Sequence, residues 1–169
     1  MAFELVPFVR SLHVISAALW AGGAFFAAFV LGPHLAAAGP AAGAFMSVVV
    51  RRGGFTWFFA AFGLLTIVTG GYVYSEYGYA SDPFGSVSRA SVTVGAILAL
   101  LAFLHGAAAM GPGQARMKKF VLTLPAGGPP TAAQTAELQR MGKKQGRAAA
   151  VSAGLIVLAL LTMTLRVLF

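Results

Sequence analysis

Three histidines carry most of the chemistry this chain can offer. His13, His34 and His105 are its only imidazoles, and it has no cysteine. Without cysteine there are no disulfides, thiolate metal sites, iron–sulfur clusters or covalently attached haem. His13 and His105 fall inside long apolar stretches, and His34 follows Pro33 at the end of one. An imidazole in hydrocarbon must find a partner, and metals and haem iron are natural ones. The alternative is a neutral ring hydrogen-bonded to a backbone carbonyl or to a Ser or Thr of a neighbouring helix. Other chemistries are poorly served. No Asp, Glu or Lys lies in the apolar cores, which argues against proton-relay pumps and acidic ion pores. The acids needed for a Ser-His-acid set all sit in loops or tails. The pairs Gly22-Gly23, Gly53-Gly54 and Gly70-Gly71 lack the Lys-Ser/Thr of a phosphate loop.

The surroundings of His13 suit an anionic cofactor. Arg10 lies one turn away on the same helix, and Arg89 and Arg166 end later apolar stretches on the same side. Three guanidinium groups there are able to grip two haem propionates. They are equally able to snorkel to a membrane surface. Trp20 follows His13 by seven residues on one helical face, as a cofactor-pocket wall or as packing. Met163 falls at about the depth of His13, and His with Met suits Cu(I) or an axial pair on haem. With a rise of about 1.5 Å per residue, His13 sits roughly 10 Å, and His105 roughly 21–24 Å, below the outer surface. Such a mismatch argues against a His13–His105 axial pair unless a helix tilts, and His34 is deeper still. The candidate cofactor residues are thus His13, His105, Arg10, Trp20, Arg89 and Arg166. The candidate metal ligands are His13, His105, His34 and Met163. The leading expectation is haem b serving electron transfer or a small redox reaction. Copper binding or transfer, and a cofactor-free accessory subunit, are the alternatives.

These residues need a membrane scaffold. Of 169 residues 59% are apolar and 9% charged, against about 45–50% and about 25% in soluble domains. A helix spans the hydrocarbon core in about 20 residues. Four stretches reach that length, at about 6–31, 55–74, 91–110 and 148–168, within a single domain. The first stops at Gly32-Pro33 and the third at Gly111-Pro112-Gly113. The first lacks the basic start of a signal peptide and reads as a retained span. Small residues line up as Gly63, Thr66 and Gly70 and as Gly95, Ala99, Ala102 and Gly106, predicting close helix contacts. The predicted fold is all-α, an integral membrane four-helix bundle. Tyr72, Tyr74, Tyr77 and Tyr79 form an interfacial aromatic belt.

Charge orients the bundle. Nine of the twelve basic residues lie in the connections on one side, seven of them in the basic connection 112–147. Arg10, Arg89 and Arg166 lie on the other. The positive-inside rule then predicts both termini outside, in a bacterial inner membrane. The net charge of +8 reads as orientation and as contact with anionic head groups at the cytoplasmic side, not as nucleic-acid binding. A redox partner or a second copy of the chain is a further expected partner. Within the connection, Leu124 to Pro130 is a flexible break. Thr131 is the expected N-cap of a helix through Gln134, Glu137 and Arg140 that runs on into the fourth span. The basic face of that extension reads as solvated.

A family resemblance rests on short motifs spread over all four spans. The stretch Leu12 to Leu35, LHVISAALWAGGAFFAAFVLGPHL, resembles the LH-x(6)-W-x-G-G start of CopD-like (copper-resistance D) membrane proteins. It is also similar to the first helix of HemJ-type protoporphyrinogen oxidases. Arg51, Arg52, Trp57, Thr69 and Gly70 continue the likeness, and LLAFLHGAAAMGP is similar to the end of the third helix in the CopD-like group. The HemJ resemblance implies haem b held by the histidine matching His13, and oxidation of protoporphyrinogen. That type also carries a functional lysine in helix three, whereas Ala90 to Leu104 contain none. The CopD resemblance implies copper handling across the inner membrane.

Overall fold

The computed structural model describes residues 4–38, 40–124 and 131–166. Four helices are long and apolar enough to cross a membrane: α1 (Leu5–Ala37), α3 (Gly54–Glu76), α4 (Val87–Leu122) and α5 (Ala132–Leu165). A shorter helix, α2 (Pro40–Arg52), sits in the first connection. Large apolar side chains face outward, among them Val14 and Ile15 at 58% exposure and Val68 at 61%. Such a surface suits lipid and would aggregate in water.

Neither expected Gly-Pro stop ends its helix. Proline lacks an N–H, and its ring clashes with the carbonyl four residues earlier. The chain absorbs this by widening the preceding turn to a π-helical one, at Phe26–Leu31 before Gly32-Pro33 and at Gly106–Met110 before Gly111-Pro112. A polar side chain then serves a carbonyl at each turn. His34 Nδ1 donates to the Val30 carbonyl at 2.6 Å, and Gln145 Nε2 donates to the Met110 carbonyl at 3.2 Å. Gly113 makes room for Gln145, whose amide a Cβ at that position would strike. Prolines inside spans persist through such local repairs.

The helices are therefore longer than the bilayer core requires. The 36 residues of α4 extend about 54 Å, against a hydrocarbon thickness of about 30 Å. The projecting ends of α2, α4 and α5 enclose a second small core. Val50, Met117 and Val121 are buried there, packed against Met46, Leu138 and Met141. Arg51 Nη2 ties it by donating to the Val121 carbonyl at 3.2 Å. Gly53, at φ +68°, turns α2 into α3.

Thr131 starts α5 as expected. Its hydroxyl accepts the Gln134 N–H at 3.3 Å, and the Gln134 side chain accepts the Thr131 N–H at 2.8 Å, a reciprocal capping box. The helix then runs unbroken through the basic segment to Leu165. The break expected at 124–130 lies, from residue 125 on, outside the described residues.

Packing is uneven. α1 pairs closely with α3, and α4 with α5, while contact between the two pairs is sparser. Both pairs are antiparallel and rest on glycine. A Cβ at Gly23 would lie 2.7 Å from the Phe58 ring, and one at Gly95 would lie 2.5 Å from Met163 Cγ. At mid-height the pairs meet in a core of Trp20, Ala24, Ala102, Ala153 and Ile156. Trp20 and Phe103 stand edge to face there, 6.2 Å between centroids.

Candidate functional site

His13 projects from α1 onto α3. Its Nδ1 lies 3.0 Å from the Thr66 carbonyl and 3.4 Å from the Thr69 hydroxyl. A carbonyl only accepts, so in the neutral ring Nδ1 carries the proton and Nε2 keeps its lone pair. Nε2 has no hydrogen bond among the described residues. One ring nitrogen tied to a backbone carbonyl, with the other left as a donor of electrons, is how proteins orient a metal-ligating histidine.

The surrounding helix positions hold the ring there. The Ser16 hydroxyl, one turn along α1, donates to the His13 carbonyl at 3.0 Å. Thr66 Oγ1 reaches Ser16 Oγ at 3.1 Å and the Phe62 carbonyl at 2.7 Å. Gly70 provides the space for the imidazole, since a Cβ there would stand 2.7 Å from His13 Cε1. Thr66 and Gly70 belong to the small-residue face that the sequence assigns to helix packing. That face is also what fixes His13, a role that appears only once α3 is placed against α1.

A cavity of about 350 Å³ adjoins His13, and all four spans line it. His13 and Trp20 come from α1, Thr66 from α3, Ala99 from α4, and Ile156 and Met163 from α5. The walls are almost wholly apolar. Alanines at 17, 99 and 159 leave the space, and the exposed Val14 and Leu160 place its open side between α1 and α5. Met163 thus shares a cavity with His13, at the depth expected. Trp20 is both wall and packing, buried against Phe103 and over Gly63.

The other two histidines stand apart. Phe103 meets Trp20, placing the two at similar depth. His105 lies two residues beyond Phe103 away from the termini, and His13 seven residues before Trp20 toward them. Their separation along the bundle is about 13 Å. His105 Nδ1 pairs instead with Ser152 Oγ of α5 at 2.9 Å, and exposed His34 serves the widened turn of α1. Among the described residues no group of three or more His, Cys, Asp or Glu is placed to hold a metal.

The three arginines separate as well. Arg89 Nη1 donates to the carbonyls of Gly78 at 2.7 Å and Asp82 at 3.3 Å, and its guanidinium lies 5.7 Å from the centre of the Tyr79 ring. Arg166 Nη1 donates to the Tyr79 hydroxyl at 3.1 Å. Tyr79 stacks on Tyr74, whose hydroxyl meets Thr93 Oγ1 at 2.9 Å. Arg89 and Arg166 therefore bind the connection between α3 and α4. Arg10 lines a different hollow on the outer face of α1.

No protein-family model, no curated protein and no solved structure matches this chain.

Proposed function

We propose that this protein binds haem b in a bacterial inner membrane, with both termini outside, and serves electron transfer or a small redox reaction, in the manner of CopD-like and HemJ-like proteins. The observation that carries the reading is His13. Its Nδ1 is committed to the Thr66 carbonyl, and its ring lines an apolar cavity that also holds the Met163 thioether.

His13, Met163 and Trp20 suit the iron and the ring of the group, while the cavity lining carries no cation for its propionates. Ligand pockets run from about 300 to about 1,000 Å³, mostly apolar with a few fixed polar groups. This cavity has the right character at the small end of that range, with its open side toward lipid between α1 and α5. His13 would supply the nitrogen ligand, Met163 a sulfur ligand, and Trp20 a flat wall. Bound haem would supply one-electron chemistry, with a His/Met ligand pair favouring a raised potential. The absence of a lysine from Ala90 to Leu104 leaves electron transfer better supported than protoporphyrinogen oxidation. Nine basic residues against three support the orientation.

The same His13 and Met163 in one cavity favour a second reading, binding of Cu(I), which takes soft sulfur and imidazole ligands. One measurement separates the two. Purified protein under the haem reading shows a Soret band that His13→Ala abolishes. Under the copper reading it is colourless and binds added Cu(I) in a His13-dependent way. Colourless protein that neither takes up haem nor retains copper overturns both and leaves the accessory-subunit reading.

A further inference from the structure

Of the three arginines at the end of the bundle that carries the termini, two are used by the protein itself. Arg89 and Arg166 hold the α3–α4 connection through Gly78, Asp82 and Tyr79. The Arg10 guanidinium has no hydrogen bond or ion pair among the described residues, where the only ion pair joins Arg140 to Glu137. It lines a groove of about 470 Å³ with Pro7, Ser11, Val14, Ile15 and Tyr77. The groove is built in two parts along its length. A cationic guanidinium and a phenol stand toward the end of the helix, and two aliphatic side chains, each 58% exposed, follow one turn deeper.

This sequence of chemistries matches one kind of molecule in the bilayer. Guanidinium grips phosphate bidentately, a tyrosine sits at head-group level, and exposed Val and Ile at the next turn accept hydrocarbon. We propose that an anionic phospholipid of the leaflet at the terminal end docks here, its phosphate against Arg10 and Tyr77 and one acyl chain across Val14 and Ile15. Val14 is also a wall of the His13 cavity. A chain lying on it covers the side of that cavity that opens between α1 and α5. The lipid thus completes the enclosure of the cavity, and its site exists whether or not the cavity holds haem.

Native mass spectrometry of delipidated full-length protein, titrated with phosphatidylglycerol or phosphatidylcholine, tests this. Wild type retains one phosphatidylglycerol in preference to phosphatidylcholine. Arg10→Gln lowers that retention about fivefold, the effect of one basic residue near an anionic lipid surface. Arg10→Lys keeps most of the preference, and Arg166→Gln, whose guanidinium is bonded to Tyr79, leaves it unchanged. Circular dichroism checks that each variant stays helical. Equal retention by Arg10→Gln and wild type, or equal retention of the two lipids, overturns the proposal. If Arg10→Gln instead lowers bound haem and leaves lipid retention unchanged, Arg10 serves the cofactor and only this inference fails. Colourless protein with Arg10-dependent lipid retention upholds it while the haem reading falls.

Discussion

Gly70 and His13 are shaped to each other: the imidazole Cε1 occupies the place beside α3 where a Cβ at residue 70 would lie, 2.7 Å away. The ring reaches the Thr66 carbonyl only because residue 70 has no side chain.

Gly70→Ala is therefore expected to expel the imidazole from its seat and, if His13 holds haem as proposed, to abolish haem binding. Overpacking of this kind costs about 1–3 kcal/mol. Gly71→Ala is the control, because a Cβ there meets nothing within 4 Å. Absorbance per mole of protein and circular dichroism should show a helical but colourless Gly70→Ala and an unaltered Gly71→Ala. A coloured Gly70→Ala would falsify the seating described for His13.

His105 and His13 should behave differently on removal. His105→Ala deletes one hydrogen bond to Ser152, worth about 1 kcal/mol, and should lower the thermal midpoint with the spectrum intact. If His13 holds haem as proposed, His13→Ala should remove the Soret band.

Met163→Leu keeps the volume of the cavity wall and deletes the sulfur. With haem bound, redox titration should show a lower midpoint potential, since a Met ligand raises it. An unchanged potential would mean that Met163 only packs. Gly95→Ala presses on Met163 Cγ at 2.5 Å and should shift the potential in the same direction.

The second core beyond the membrane should be separable from the cavity. Met117 is 5% exposed, and its truncation to Ala should cost about 2–5 kcal/mol. Limited proteolysis should then cut within Pro40–Arg52 faster than in wild type while the spectrum stays the same. Loss of colour together with faster cleavage would show that the two cores are one cooperative unit.

Orientation is directly measurable because the chain lacks cysteine. A single cysteine at exposed Ala80 should react with a membrane-impermeant maleimide on intact cells, and one at exposed Lys144 only after lysis. The reverse pattern would invert the topology.

The spans were legible because length and apolarity alone decide whether a helix can cross lipid. The start of α5 was legible because Thr131 and Gln134 cap each other locally. The helix ends at Gly32-Pro33 and Gly111-Pro112 were not, because a proline that stops a soluble helix is accommodated in these spans by a widened turn and a side-chain donor. Depth is readable from residue count, which puts Met163 level with His13 and His105 deeper than both, although His105 stands among the candidate ligands. Direction around each helix axis was not readable for Arg10, Arg89 and Arg166. They share one end of the bundle yet turn toward different neighbours. The pairing of His13 with Thr66 was hidden for the same reason, since it depends on how α1 and α3 are rotated against each other.

The uneven packing has a mechanical consequence. The polar ties at mid-membrane, His13 to Thr66, Thr66 to Ser16 and His105 to Ser152, all lie inside one helix pair or the other. Ties beyond the pairs occur at the two ends, Tyr74 of α3 to Thr93 of α4 at one, and Arg51 of the connecting helix α2 to Val121 of α4 at the other. Among the described residues no side-chain hydrogen bond joins α1 to α5. The bundle is bolted at top and bottom and merely leans together at its waist. At mid-height the two pairs are held to each other by dispersion contacts, which are individually weak and collectively large.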